Sequence, residues 1–415
     1  MRRLNSRVDS RIALRHATDS HSWDLLLRRQ SMKFHLIQPG MIGRKHEIEQ
    51  GMAGQNKELY QRFLEEIRGY VGLADELGYA SYGHNEHHLQ IEGFEITNHP
   101  GMFSLFVGLH SKRMKVSTLG YVLTTHNPVR AAEEIATLDH MLKGRLQVGF
   151  TRGYQSRWVG SYATVRGANA TTPELAKSRD DVDTMNREIF EECVKIVKKA
   201  WTSDTFSYEG KYWQFPPESG LTGHPAYEKF GKGMGADGMV HEIGIAPKCY
   251  QDPHPPLYGA FAHSMRTIDM WAREGGKPIV MANQMEFCEA LWGRYMKTAE
   301  EAGRDVKRED AAAWGGVLML GNDKSRLAEI KAEHDWYWNT FFLPFGQGYA
   351  NCLIGDVDEV SRQIEHAQEK LGFNEMWLQF GQGHLDPEEN EEQLQTFADK
   401  IFPRFSTKAA DGTWV

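Results

Sequence analysis

The chain has little of what would mark it for export, a membrane or a nucleic acid. Its four cysteines, Cys193, Cys249, Cys288 and Cys352, lie far apart and form no CxxC pair. That pattern carries no metal signature and suits a reducing cytoplasm, the expected location. No run of about eighteen apolar residues occurs, so no membrane span is expected. Positive charge is not in excess either: 48 Lys and Arg face 56 Asp and Glu, for a net charge of −8 and a pI near 6.1. A surface for nucleic acid or anionic membrane would need a basic face. No GxSxG nucleophile elbow is present. The only GxGxxG string, Gly233–Gly238, lies in an irregular stretch with no clear strand before it or helix after it, so no fingerprint for NADH is read there; internal repeats and heptads are missing. The glycine-rich Gly231–Gly235 run neither follows a clear strand nor opens a clear helix, so it is not read as a phosphate cradle.

What is present is a chain of 415 residues with 40% apolar content, enough for a large core. Residues 1–31 stand apart, with seven Arg against three Asp and scattered Ser. They read as a disordered or dispensable extension; a transit peptide or a natural start at Met32 are the competing readings. From Met32 onward, strand-like and helix-like stretches alternate. Strands are expected at residues 33–39, 79–83, 114–123, 146–150, 257–262, 278–282, 314–320 and 375–380. Helices separate them, for example 58–77 with Leu59, Phe63, Ile67, Val71 and Ala74 at helical spacing, and 178–201 with Ile189, Cys193, Ile196 and Val197. Pro128 at the start of one helix and Gly78 at the end of another are ordinary boundary residues. Residues 206–215 read as a hairpin turning at Glu209-Gly210, and 216–254 as a long irregular insertion. Strict alternation implies parallel strands with right-handed crossovers. Eight such units fit a closed (β/α)8 TIM barrel with insertions better than an open sheet.

In such a barrel the strand-to-helix loops share one face, and that face carries the chemistry. Asn85-Glu86-His87-His88 falls at the carboxyl end of the second strand. A carboxylate beside two imidazoles supplies a proton carrier with an orienting partner; a surface loop is the bland alternative. A zinc or iron site from His84, His87 and His88 is disfavoured, because their spacing does not make a helical ligand pair, and no metal is expected. The same face receives His126, Arg152, Gly153, His263 and Ser264. Arg152 beside Gly153 suggests an anion pocket, a guanidinium fork with hydroxyl and backbone donors at a helix start; a structural salt bridge is the competing reading. His126 is equally a capping or core histidine. Gly120 inside a strand suggests a kink or the close approach of a ligand, with simple packing as the alternative.

A family resemblance rests on these same residues. Glu86-His87-His88, then Leu119-Gly120-Tyr121-Val122-Leu123-Thr124-Thr125-His126-Asn127-Pro128-Val129-Arg130, then Ala132-Glu133-Glu134, Leu138-Asp139-His140, Gly144-Arg145-Leu146 and Gly149-Phe150-Thr151-Arg152-Gly153 resemble, in order and spacing, the bacterial luciferase-like flavin monooxygenases. Leu257–Ser264 and Leu378–Gly383 resemble that family's strands near its flavin. The resemblance implies that residues 32–415 form one TIM-barrel domain with an insertion after the fourth strand. It implies a monooxygenase that takes reduced FMN from a separate NAD(P)H-flavin reductase, reacts it with O2 to a flavin C4a-peroxide, and oxygenates a small organic substrate. His87 matches the family's catalytic histidine, preceded by Glu86, and Arg152 matches its phosphate contact. Leu119-Gly120 falls where many members have a non-proline cis peptide bond beneath the flavin. His263, Ser264 and Met265 fall near a second phosphate contact, although the usual Ser-rich turn is altered here. A homodimer is also implied. A deazaflavin-dependent oxidoreductase on the same barrel is the alternative function, and the His-Asn-Pro-Val-Arg run favours the monooxygenase.

Overall fold

A computed structural model describes residues 32–172, 176–261, 264–381, 385–410, 412 and 414. The expectations for residues 1–31, for His263 and for Gln382-Gly383 lie outside the described residues. In chain order the main elements are β1 (Lys33–Gln38), α1 (Lys57–Leu77), β2 (Ser81–His84), α2 (Pro100–Leu109), β3 (Lys115–Val122), α3 (Pro128–Met141), β4 (Leu146–Thr151), α4 (Ser156–Tyr162), α5 (Asp180–Thr202), β5 (Leu257–Gly259), α6 (Met265–Glu274), β6 (Lys277–Val280), α7 (Met285–Glu301), β7 (Ala313–Leu320), α8 (Lys324–Tyr337), β8 (Cys352–Gly355), α9 (Val357–Leu371), β9 (Glu375–Phe380) and α10 (Pro387–Lys400).

Eight strands pair in parallel in the order β1-β2-β3-β4-β5-β6-β7-β9, and β9 pairs back onto β1. The barrel is therefore closed, as the alternation predicted, and the eight expected strands are its eight staves. β8 was not foreseen. It pairs with Val317–Leu320, the end of β7 that runs past its partner β6. The hairpin is also shorter than expected: only Tyr208-Glu209 and Gln214-Phe215 pair, so its turn spans residues 210–213.

The helices form because their caps and stripes agree. Asn56 accepts from the backbone N–H groups of Glu58 and Leu59 at the start of α1, and Gly78 ends it at φ +90°. Asn127 caps α3 in the same way ahead of Pro128. In α5, Ile189, Cys193, Ile196 and Val197 are all fully buried, so one side of that helix covers the barrel wall.

The barrel interior is filled. Ile37, Leu119, Tyr258, Ile279, Met281, Ala313 and Trp377 form an apolar layer within it. Towards the amino ends of the strands lies a buried polar layer. Ser117 donates to Gln147, Gln147 to the Tyr258 hydroxyl, and Tyr258 to Glu375, which also accepts from Lys277. His35 shares a hydrogen bond with Ser81 and stacks on Trp377. Plugged at that end, the barrel offers the carboxyl face as its place for a ligand.

Candidate active site

Of the expected site residues, Glu86, His87, His126, Arg152 and Gly153 gather at the carboxyl ends of β2, β3 and β4. Glu86, His87 and His88 follow β2 directly. The Glu86 carboxylate is buried and accepts from His88 Nε2 at 2.9 Å, from His126 Nε2 at 2.8 Å and from the Val122 backbone N–H at 2.8 Å. His126 reaches it from the 3-10 turn Leu123–Thr125 that ends β3. Burial alone would raise the Glu86 pKa, but the hydrogen bonds from His126 and His88 outweigh it and hold the carboxyl down to about 2. The same contact raises the pKa of His126 against the opposing pull of burial. Glu86 is thus an anion at neutral pH, and its proton donors come from two strands.

His87 does not pair with this carboxylate, contrary to the simplest reading of the Glu-His-His run. Its ring turns the other way, edge-on to Tyr154 and Trp158 at centroid distances of 5.5 and 6.0 Å. Nδ1 lies 3.4 Å from a second carboxylate, Glu95 Oε2. Burial pushes the His87 pKa down to about 3, so the ring is neutral. The three imidazoles of the disfavoured metal reading have separate engagements: His84 with Ser104, His87 facing Glu95, and His88 with Glu86. Among the described residues no group of three or more His, Cys, Asp or Glu is arranged to hold a metal ion.

Arg152, the residue after β4, donates from Nη1 to Asp183 Oδ1 at 3.1 Å. The structural salt bridge weighed against the anion pocket is therefore present. It does not exhaust the local positive charge. Arg187, one turn along α5, lies 3.6 Å from the other Asp183 oxygen, and its buried Nε has no hydrogen-bond partner. Burial first, then Arg152 and Arg266, push the Arg187 pKa down. Three guanidiniums thus share a region with the carboxylates of Asp183 and Glu191, the latter 4.0 Å from Arg266; Glu188 also acts on Arg266 but is paired with Lys211. An anion fits there on charge and on donors. Ser264 caps α6 by accepting from Thr267 N, and Met265 opens that helix beside Arg266. Gly153 is required at φ +72°, and a Cβ there would meet Val159 and Val122 at 2.6 and 2.9 Å.

The Leu119–Gly120 peptide is cis, as the resemblance implied. The need for glycine at 120 has a packing cause: a Cβ would lie 2.2 Å from the Gly149 carbonyl oxygen on β4, where the β3–β4 register shifts. Leu119 is buried in the barrel lining.

Sequence reasoning missed Glu95, Asp183 and Arg187. Glu95 and Asp183 belong to no motif, and the α5 stripe draws attention to its apolar residues. The only signal was polarity on positions that a packed loop and helix would bury.

Comparison with known proteins gives four results. The profile of the luciferase-like monooxygenase family matches residues 46–342. The alkanal monooxygenase beta chain of Aliivibrio fischeri is 24% identical over 305 residues, covering 71% of this chain and 79% of that one. Among solved structures, the oxygenating constituent of 3,6-diketocamphane monooxygenase from Pseudomonas putida, a type II Baeyer-Villiger monooxygenase in complex with FMN, superposes with a TM-score of 0.67 at 16% identity, over 90% of this chain and 99% of that one. An F420-dependent secondary alcohol dehydrogenase shares the fold at a TM-score of 0.59 and 14% identity, over 91% of this chain and 100% of that one.

Proposed function

Because this chain belongs to the luciferase-like monooxygenase family, we propose that it is an FMN-dependent monooxygenase that oxygenates a small organic substrate with flavin reduced by a separate enzyme. One observation carries the reading. On a single face, a buried Glu86–His126–His88 cluster and the neutral imidazole of His87 stand beside a guanidinium cluster with an unpartnered donor. Arg152 and Arg187 would hold the FMN phosphate, and Ser264 at the start of α6 would add a hydroxyl. Reduced flavin, when bound, supplies the electrons that activate dioxygen.

The protein's own contributions are separable. The arginines bind and orient. Trp158, fully buried against His87 and His88, helps exclude water. His87, neutral and edge-packed, moves a proton at Nε2, the nitrogen turned away from Glu95. His126 donates Nε2–H to the Glu86 anion, a contact that raises its pKa and so favours its protonated form. The four cysteines are all free, which supports a reducing cytoplasm; among the described residues no helix is long and apolar enough to cross a membrane.

Oxygen uptake tests the reading, with purified protein, FMN, NADH and a separate flavin reductase, and with hydrogen peroxide quantified. The expected result is tight binding of reduced FMN and a change in its reoxidation rate. The deazaflavin alternative is favoured by the F420 enzyme on the same fold. It would be adopted if FMN fails to bind in either redox state and leaves reoxidation unchanged.

Arg152→Ala should weaken FMN binding by about tenfold or more, the worth of a charge-assisted hydrogen bond. Riboflavin, which lacks the phosphate, should bind the variant and the parent alike. Equal loss for both ligands would remove the phosphate role.

A homodimer is part of the proposal. On α2, Met102 and Leu109 are 68% and 74% exposed, with the partly exposed Leu105 and Phe106 between them at helical spacing. Such a stripe on one helix supports burial against a second copy. Leu109→Glu is expected to convert a dimer to monomers in sedimentation at micromolar concentration. A monomeric parent protein would refute the interface.

A further inference from the structure

Glu95 lies in the loop between β2 and α2, in the left-handed region at φ +48°. The loop around it is tied down by its backbone. His87 N donates to Thr97 O, Ile96 N to Gly40 O, and Ile42 N to Gly93 O. Thr97 Oγ1 donates to both oxygens of Asn85. The carboxyl group is therefore delivered to one place, and that place is buried.

There it accepts from Asn85 Nδ2 at 3.0 Å on one oxygen, and from the Tyr154 hydroxyl at 2.5 Å and Gln155 Nε2 at 3.2 Å on the other. These three neighbours all donate. The remaining group at hand is His87 Nδ1, 3.4 Å away, buried and without a hydrogen-bond partner, so that Glu95 is the carboxyl group it faces at close range. Nδ1 is enclosed, Nε2 sits on the opposite edge of the ring, and 7% of the side chain remains exposed. The arrangement is a carboxyl group behind one imidazole nitrogen with the other nitrogen facing the site.

We propose that Glu95 is the positioning residue for His87: it shares a single proton with Nδ1 and so dictates the protonation state of Nε2, the nitrogen that faces substrate and flavin. This rests on the role given to His87 above. When Nε2 takes a proton from a reacting group, the Nδ1 proton passes to Glu95; the ring stays neutral and the carboxylate becomes a neutral acid. When Nε2 gives its proton up, the Glu95 proton returns to Nδ1 and the carboxylate is restored. One proton enters or leaves the pair in each direction, and His87 never becomes an imidazolium.

The electrostatics agree with that exchange. Burial pushes the Glu95 pKa up to about 8 despite its three donors, while burial pushes His87 down to about 3. A buried pair of this kind is best read as one coupled system. The titratable groups facing it are Glu86 and His88 on the His87 side, and Tyr154 and Tyr337 on the Glu95 side; both tyrosine pKa values are pushed well up by burial. Neither tyrosine titrates near neutrality, so the exchangeable proton belongs to His87 and Glu95.

The test uses full-length protein labelled with 15N-histidine, with His87→Ala to assign the His87 signals. Without flavin, the parent protein should show His87 switching tautomer, not charge, with one apparent pKa near 8. In Glu95→Gln that titration should vanish, and Glu95→Asp should restore it with a shifted midpoint. In turnover, Glu95→Gln should lower kcat by about tenfold or more, in the range of proton-transfer effects. KM and FMN affinity should stay within about twofold, since no substrate or flavin contact is lost. A parent His87 that titrates to a cation, or a Glu95→Gln variant that keeps the tautomer switch, would overturn the proposal. The tautomer readout needs no flavin. Failure of the monooxygenase reading, with no flavin-dependent oxygen uptake, is therefore distinguishable from failure of the Glu95 pairing.

Discussion

His87→Ala is expected to keep FMN affinity within about twofold and to lose product formation by two to four orders of magnitude, the usual span for removing a general acid or base. The oxygen consumed should then leave as hydrogen peroxide. The expectation follows from position. His87 is far from solvent on its Nδ1 side, neutral because burial holds its pKa to about 3, and gripped by Tyr154 and Trp158 on its ring edges. It has no part in the guanidinium cluster, so flavin retention and proton transfer should separate. Loss of binding together with loss of turnover would make it a packing residue. Unchanged coupling of oxygen to product would remove it from the chemistry.

Replacing Glu86 should cost stability as well as activity. Glu86→Ala leaves His126, His88 and the Val122 N–H facing a void with no acceptor, in a place that is nearly sealed. Breaking a buried pair of this kind costs about 3–5 kcal/mol, readable as a drop in urea or thermal unfolding. Glu86→Gln is the gentler variant, because it keeps the shape and loses the charge. The pH dependence then identifies the charge. Glu86 has its pKa lowered from 4.5 to about 2, so its contribution is full above 4.5 and is lost as pH falls towards 2. His126 has its pKa raised above 6.5, so its contribution is full below 6.5 and is lost as pH rises through the raised value. The stability gap between parent and Glu86→Gln should therefore be widest between about pH 4.5 and 6.5 and narrow on both sides. A gap that does not change with pH would mean that packing, not the ion pair, holds the cluster.

Much of this protein was legible in its residues in order. Apolar spacing placed α1 and α5, Pro128 marked the start of α3, and alternation of strands and helices implied a closed parallel barrel. β8 escaped because four residues, Cys352–Gly355, pair only with the overhanging end of β7. The run Glu86-His87-His88 pointed to the candidate site but not to its wiring. Adjacent residues leave a strand end in opposite directions, so Glu86 turned to His126, forty positions away, and His87 to Glu95.

By itself, then, the sequence determined the layers, the end of the barrel where the candidate residues meet, and most of the side chains gathered there. Those follow from periodicity and from residue types that a short stretch of chain encodes. Which carboxylate serves which imidazole, and that Asp183 and Arg187 join Arg152, was decided by the tertiary structure alone. Partnerships across β2, β3, β4 and α5 depend on strand register and on the path of a buried loop, and both are set only once the barrel closes.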